Sequence, residues 1–293
     1  MNLFLNVLTQ ALTFLPLAFG IGISYSLLKS TDMTLDGSFV LGAAVFAKLI
    51  TSGVPPVLAG VAALLAGAAA GVMVALIQRG GKVDPLLAGI LASFILVSGN
   101  LILMGRPNIS LLSETTLLSG AFARGELQGW FVVGLYCFFF CAASGLALTT
   151  RFGLMLRSLG DNPALLQRLG HSVEGYRLAG FAFTNMLSAA SGLLTAQTVG
   201  YADIGMGLGM TLTGIGAIIL GQQCLHLFKV HFKQKILPVF LSCLIGILVY
   251  FFAMNLLLRC DVNPIYFKMI LGLILIIFLR GAMTSKYSLR NTV

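Results

Sequence analysis

Two carboxylates four residues apart, Asp32 and Asp36, have the spacing in this sequence that comes closest to a catalytic pair. Side chains at i and i+4 lie on one face of a helix, so the two groups can share one site. General acid and base chemistry on a lipid would require a base beside them. The surrounding stretch STDMTLDGSF contains no base. We therefore expect no catalytic residues here and no enzyme.

The same stretch has the composition of a break between two apolar helices. Its polar and small residues are Asp32, Thr34, Asp36, Gly37 and Ser38. Broken helices in transporters expose backbone groups that hold charged or zwitterionic solutes. Asp36 can instead cap a helix that begins at Gly37 or Ser38, which is a purely structural role. Our candidates for a translocation path here are Thr34, Asp36, Gly37 and Ser38, with both roles open for Asp36.

A second break is predicted in the glycine-dense stretch YADIGMGLGMTLTGIG, which begins at Tyr201. Each glycine weakens a regular helix by up to about 1 kcal/mol relative to alanine. Close packing at a pore or dimer axis and simple crowding between helices both account for this density. Gly205 and Gly209 join the path candidates.

Single asparagines fall inside three apolar segments, at Asn100, Asn185 and Asn255. An amide costs free energy when it faces lipid, so we expect these side chains to face the protein interior. Hydrogen bonding between helices is the expected role. Lining a path is the alternative, for which we retain Asn100.

Neither the histidines nor the cysteines form a metal-binding pattern. His171, His226 and His231 lack zinc-ligand spacing, and the five cysteines include no CxxC pair. We expect no metal site and no cofactor bound by this chain. The basic residues are scattered singly and form no patch for nucleic acid.

The composition defines the class of protein that must position these residues. Of 293 residues, 58% are hydrophobic and 9% are charged, whereas about 25% of a soluble domain is charged. So few charges cannot cover a soluble core of this length. Because helices are the spanning structure that long apolar segments form, we predict an all-α, polytopic integral membrane protein.

About nine transmembrane segments are predicted, within a range of eight to ten. They lie at 3–28, 38–52, 54–78, 85–105, 128–149, 177–198, 208–223, 236–258 and 264–280. The segment 38–52 is short for a span, and a tilted helix, a half-helix and a re-entrant element all fit it. Residues 1–293 form a single transmembrane domain, with a short cytoplasmic tail from about residue 281.

The basic residues also assign the loops to two sides of the membrane. Most of the 18 lie in alternate loops, around residues 29, 79–82, 151–177 and 229–235 and in the tail. Short loops rich in Lys and Arg stay in the cytoplasm. These alternate loops are therefore predicted to be cytoplasmic.

A short polar helix with complete end signals is predicted in the longest cytoplasmic loop. Asp161 or Asn162 can cap it, and Pro163 suits its first turn. Gly170 can take the left-handed conformation that ends a helix. The helix should lie near 163–169.

Two helical turns are not stable alone in water, so this helix must be held by something. Leu165, Leu166 and Leu169 give it an apolar stripe. It either rests on its own membrane domain or docks in the groove of a soluble partner, and the residues alone leave both interpretations open.

Three stretches carry a resemblance to a known family. They read SYSLLKSTDMTLDGSFVLGAAV, GLMLRSLGDNPALLQRLGHSVEGYRLAGFAFTNMLSAASGLL and GYADIGMGLGMTLTGIGAIILGQQ. The chain resembles the permease subunits of ABC importers of the branched-chain amino acid and ribose type. It is more similar still to the subgroup linked to tryptophan or tyrosine uptake. The similarity extends to about residue 280.

The resemblance implies a permease of the bacterial inner membrane that imports an amino acid, aromatic or branched-chain. Its implied partners are a second permease copy in a homodimer, two cytoplasmic ABC ATPases that use ATP and Mg²⁺, and an extracytoplasmic substrate-binding lipoprotein. In such proteins the short cytoplasmic helix is the coupling helix that contacts the ATPase. The residues that match it here are Gly160, Asp161, Asn162, Leu165, Leu166, Leu169 and Gly170.

The chain itself lacks a phosphate-binding loop, which requires GxxxxGK followed by Ser or Thr. Gly81 and Lys82 are followed by Val83. ATP hydrolysis is therefore expected in a separate subunit. The alternative is a self-contained secondary transporter or channel, which should carry ionisable groups inside its spans. No carboxylate falls deep inside an apolar segment, which disfavours that alternative.

Overall fold

The computed structural model describes residues 3–81, 83–119, 126–227 and 236–260, together with residues 266, 269–270 and 272–273. This part of the chain forms ten α-helices, namely α1 Leu3–Ser26, α2 Thr34–Thr51, α3 Pro56–Ile77, α4 Pro85–Met104, α5 Glu126–Thr149, α6 Arg151–Asp161, α7 Pro163–Arg168, α8 Val173–Val199, α9 Met210–Leu227 and α10 Ile236–Arg259. Two short strands, β1 Asn108–Ser110 and β2 Tyr201–Asp203, pair antiparallel.

Eight helical segments of the described residues are long and apolar enough to cross a membrane. They coincide with the first eight predicted spans, which confirms the prediction of an all-α polytopic membrane protein. The ninth predicted span, 264–280, lies outside the described residues apart from a few positions, and so does the predicted tail from residue 281.

The predicted start of the second span is wrong. α2 begins at Thr34 because the Asp32 carboxylate accepts the Thr34 N–H at 2.9 Å and so satisfies one of the free donors at the helix start. The segment is a complete helix of 18 residues rather than a half-helix.

α8 lies at the centre of the bundle, and small residues let its neighbours approach closely. Ser188 Oγ donates to the Leu35 carbonyl of α2 at 2.6 Å. A β-carbon built at Gly71 of α3 would overlap the carbonyl oxygen of Phe181 on α8. Close contact through glycine and serine is what holds helices together where lipid surrounds them.

The two ends of the bundle carry different loops, as the charge pattern predicts. β1 follows α4 and β2 follows α8, so their pairing joins two loops assigned to the outer side. At the opposite end Lys29 Nζ lies 2.7 Å from Asp161 Oδ1. This ion pair joins the linker between α1 and α2 to the end of α6, and both groups were assigned to the cytoplasmic side.

Candidate functional site

The two predicted helix breaks meet in the structure at the start of α9. Asp36, in the first turn of α2, accepts hydrogen bonds from the Gly209 N–H at 2.9 Å and from the Thr211 N–H and hydroxyl, each at 2.6 Å. Its negative charge also faces the positive end of the α9 dipole. We call Asp36, Gly209 and Thr211 the Asp36 junction.

The predicted capping role of Asp36 is thus correct in kind but wrong in its target. The carboxylate caps α9, a distant helix, and not a helix that begins at Gly37 or Ser38. The reason is that Asp32 already serves the start of α2, which leaves Asp36 free to bond across the bundle.

Glycines make the junction possible. Gly209 has a φ of +76°, in the left-handed region that glycine adopts without a steric penalty. A β-carbon at Gly207 would overlap the carbonyl oxygen of Asp36. At these two positions the glycine-rich stretch packs tightly against its own α2.

Asp32 lies beside the junction in a second buried network. It is 2% exposed, and its Oδ2 accepts from Asn185 Nδ2 at 2.8 Å. Ser38 Oγ donates to Asn185 Oδ1 at 2.6 Å. Burial raises the pKa of the Asp32 carboxyl and outweighs the opposing effect of its hydrogen bonds.

The position of Asp32 corrects one expectation from the sequence. Asn185 lies near the middle of the 27-residue helix α8, so the carboxylate that it binds is inside the bundle. The sequence suggested no carboxylate at such depth because Asp32 falls between two apolar segments. The linker between α1 and α2 enters the bundle instead of staying at its surface.

The other path candidates divide into buried and accessible positions. Thr34, Ser38 and Asn100 are fully buried, and Gly37 packs against the side chain of Leu96. In this conformation these residues hold α2 against its neighbours and do not present an open surface. Gly205 is exposed, in the turn that leads from β2 to α9.

The three asparagines bond between helices, as predicted. Asn100 Nδ2 donates to the Gly37 carbonyl at 3.1 Å, and Asn255 Nδ2 donates to Gln10 Oε1 at 2.9 Å. Asn185 joins α8 to Asp32 and Ser38. Each amide therefore has a protein partner inside the bundle.

The predicted cytoplasmic helix is α7, and its ends match the sequence signals. The Asn162 side chain accepts from the Leu165 N–H at 3.3 Å, so Asn162 rather than Asp161 is the cap. Asp161 instead bonds Lys29. Gly170, with a φ of +77°, follows the helix.

The apolar stripe of α7 is split between two environments. Leu166 is fully buried in the core of the membrane domain, whereas Leu165 is 46% and Leu169 59% exposed. Leu166 therefore anchors α7 to its own chain. The prediction that Leu166 faces a partner together with Leu165 and Leu169 is wrong. Gly160 is also used internally, since a β-carbon there would overlap the Leu27 carbonyl.

Two important residues were not singled out for their roles by sequence reasoning. Thr211 supplies two of the three donors to Asp36. The backbone carbonyl of Leu27 packs against Gly160 near the end of α6. A threonine two residues after a left-handed glycine is a weak signal for a helix start. Leu27 offered no signal, because its backbone makes the contact.

Among the described residues, the Asp36 junction offers hydrogen-bond acceptors and α7 offers an exposed apolar surface. The two carboxylates serve as hydrogen-bond acceptors for backbone and side-chain donors. The described residues thus form a polytopic helical bundle, in which the linker before α2 enters the interior and a short helix lies at the end that was predicted to be cytoplasmic. This architecture is typical of membrane transport subunits.

The chain belongs to the family described as branched-chain amino acid transport system / permease component, whose model matches residues 3–279. It is 44% identical to an uncharacterized protein of Rickettsia prowazekii, over 95% of this chain and 97% of that protein. It is 33% identical to a tyrosine transport system permease protein of Clostridioides difficile, over 94% and 90% of the two chains. It is 27% identical to the ribose import permease protein RbsC of Escherichia coli K12, over 75% and 68%.

These relationships confirm the resemblance found in the sequence. The protein is the membrane permease subunit of an ABC-type importer and a multi-pass protein of the bacterial inner membrane. ATP hydrolysis in such a system belongs to a separate subunit.

Proposed function

We propose that two copies of this chain form the translocation path of an ATP-driven amino acid importer, and that α7 receives the ATPase. The observation that carries this proposal is the split environment of α7. A six-residue helix is anchored by Leu166 while Leu165 and Leu169 stay exposed. The helix is thereby held rigid and presents two apolar side chains to a cytoplasmic partner.

The contacts around α7 support a coupling role. Gly160 packs on the Leu27 backbone, and Asp161 forms an ion pair with Lys29. The end of α6 is therefore attached to the linker between α1 and α2 by both contacts. The same linker continues to Asp32 and then to Asp36 at the junction. A displacement of α7 by the ATPase therefore has a continuous path of packed residues to the broken helices.

The remaining components follow the family. The ATPase uses ATP and Mg²⁺, and an extracytoplasmic lipoprotein delivers the solute. The solute is an aromatic or branched-chain amino acid, which is supported by the 33% identity to the tyrosine transport permease. We place Asp36, Gly205 and Gly209 along the translocation path. The buried residues that hold α2 in position beside this path are Thr34, Gly37, Ser38 and Asn100.

The docking surface is tested by Leu165→Asp combined with Leu169→Asp. We expect the double variant to insert and fold normally but to lose the ATPase during purification from the parent bacterium. Burial of a leucine contributes about 1.5–3 kcal/mol, so losing both weakens association by about a hundredfold or more. The measurement is the ratio of ATPase to tagged permease by quantitative mass spectrometry.

The matched control is Leu165→Met with Leu169→Met, which keeps the apolar surface and should keep the ATPase. Normal ATPase recovery with the aspartate variant would remove the coupling role of α7. Uptake that persists on an ion gradient after ATP depletion would instead favour a self-contained transporter.

A further inference from the structure

A cavity of about 270 Å³ lies beside the Asp36 junction, toward the end of the bundle where α8 finishes. Met210, which stands between Gly209 and Thr211, lines it. Side chains of α1, α2, α5, α8, α9 and α10 line it, and none of them is charged. The charge pattern assigns this end to the outer side. The volume is close to the lower end of small-molecule sites, which are about 300–1,000 Å³, so it suits a solute of amino acid size.

One wall of the cavity consists of threonine hydroxyls. Thr9 donates to the Leu5 carbonyl at 2.7 Å, and Thr195 donates to the Ser191 carbonyl at 2.8 Å. Thr13 and Thr198 donate to carbonyls of their own helices in the same way. Since each hydroxyl proton is already used, the oxygens have only acceptor capacity left. This wall therefore favours a ligand that carries N–H donors.

The last turn of α8 strengthens this preference. Thr195, Thr198 and Val199 line the cavity, and Val199 is the final residue of α8. The C-terminal end of a helix carries partial negative charge, which stabilises a cation beside it. An ammonium group fits both features.

Gln10 supplies a hydrogen-bond donor, which complements the acceptor oxygens of the threonines. Its Oε1 accepts from Asn255 Nδ2 at 2.9 Å, which fixes the amide and leaves Nε2 as the donor that Gln10 can offer to the cavity. A carboxylate is an acceptor that this donor can bind.

Aromatic rings make up much of the remaining lining. Phe14, Phe39, Trp130 and Phe251 line the cavity, and the rings of Phe14 and Phe251 lie edge to face with centroids 5.6 Å apart. A planar ring packs favourably among such rings, and aromatic faces also attract a nearby ammonium.

We propose that this cavity binds an α-amino acid with an aromatic side chain. The ammonium lies at Thr195 and Thr198, the carboxylate at Gln10, and the ring among the phenylalanines and Trp130. This inference deepens the proposed function, on which it rests, because it gives the permease its own contacts to the solute in addition to those of the binding lipoprotein.

The test uses Trp130, which is the single tryptophan of the chain. The full-length permease in lipid nanodiscs is titrated with L-phenylalanine under excitation at the red edge of tryptophan absorption. We expect a saturable change in emission. Phenylacetate, which lacks the ammonium, and L-alanine, which lacks the ring, should each bind at least about tenfold more weakly, because each loses one set of contacts. Equilibrium binding of radiolabelled L-phenylalanine provides a readout that does not depend on Trp130.

Thr198→Val removes one acceptor oxygen at nearly constant shape and should raise the dissociation constant by about tenfold. Thr51→Val is the matched control, since Thr51 also donates within its own helix but lies exposed at the end of α2. The proposed site would be overturned if neither readout showed saturable binding. It would also be overturned if phenylacetate bound as tightly as L-phenylalanine, or if the two valine variants had equal effects on the dissociation constant.

The outcomes for the site and for the proposed function are separable. Binding to the permease in the absence of ATP-dependent uptake would preserve the site and remove the proposed transport function. ATP-dependent uptake of an aromatic amino acid without binding to the isolated permease would remove only the site. Saturation by a lipid that excludes L-phenylalanine would identify the cavity as a lipid site and overturn the assignment.

Discussion

Asp36→Ala is expected to abolish transport and to lower the thermal stability of the detergent-solubilised protein. The substitution leaves the Gly209 N–H and both donors of Thr211 without their acceptor, at a half-buried position within the bundle. A donor left without a partner costs about 1–3 kcal/mol when buried. The loss at the Asp36 junction should therefore reach several kcal/mol and release the start of α9 from α2.

The control for this variant is Asp203→Ala. Asp203 also caps a helical turn in the same region, where its carboxylate accepts from the Gly205 N–H at 2.7 Å, but this hydrogen bond is exposed. Asp203 Oδ2 also accepts from Asn108 Nδ2 at 3.4 Å, and this hydrogen bond is exposed as well. Removing an exposed cap costs about 1 kcal/mol. Uptake of radiolabelled substrate and the midpoint of thermal unfolding measure both variants. Equal behaviour of the two alanine variants would show that the Asp36 junction has no special role.

Gly192→Leu is expected to prevent folding altogether. Gly192 lies where α8 meets α2, and even a β-carbon there would overlap the carbonyl oxygen of Phe39. Overpacking a well-packed core costs about 1–3 kcal/mol where side chains can adjust. Here the obstacle is backbone, so the two central helices must separate. We expect no monodisperse peak in size-exclusion chromatography of a fluorescent fusion.

Gly99→Leu is the matched control, because a β-carbon built at Gly99 on α4 would meet no described atom within 4 Å beyond the neighbouring backbone of α4 itself. Leucine also has a higher helix propensity than glycine, by about 0.5–1 kcal/mol. The control should therefore fold with at least wild-type yield. A folded, monodisperse Gly192→Leu protein would mean that α2 and α8 do not pack as closely as described.

The helix positions could be predicted from local patterns, since long apolar segments and capping residues act over short distances. α7 is the clearest case: Asn162, Pro163 and Gly170 located it to within a residue of its observed bounds. The face that α7 buries could not be predicted. Leu165, Leu166 and Leu169 look equivalent in the sequence, and only the packing of Leu166 against the domain distinguishes them.

The partners of Asp32 and Asp36 lay beyond sequence reasoning for a different reason. Local chemistry indicated that a carboxylate in STDMTLDGSF should cap a helix, and it did not indicate which one. Asp36 bonds residues 173 and 175 positions away, and Asp32 bonds Asn185 across 153 positions. A pattern within ten residues contains no information about contacts at that separation.

That separation also has a consequence for biosynthesis. At roughly 5–20 residues per second, about 9–35 s pass between synthesis of Asp36 and synthesis of Gly209, its partner 173 residues later. During this interval a carboxylate destined for the bundle interior has no protein donors from α9. The nascent chain therefore passes through a stage at which its first helices are complete but the Asp36 junction cannot yet form. The arrival of α9 is therefore the earliest moment at which α2 can be joined to the second half of the bundle through this junction.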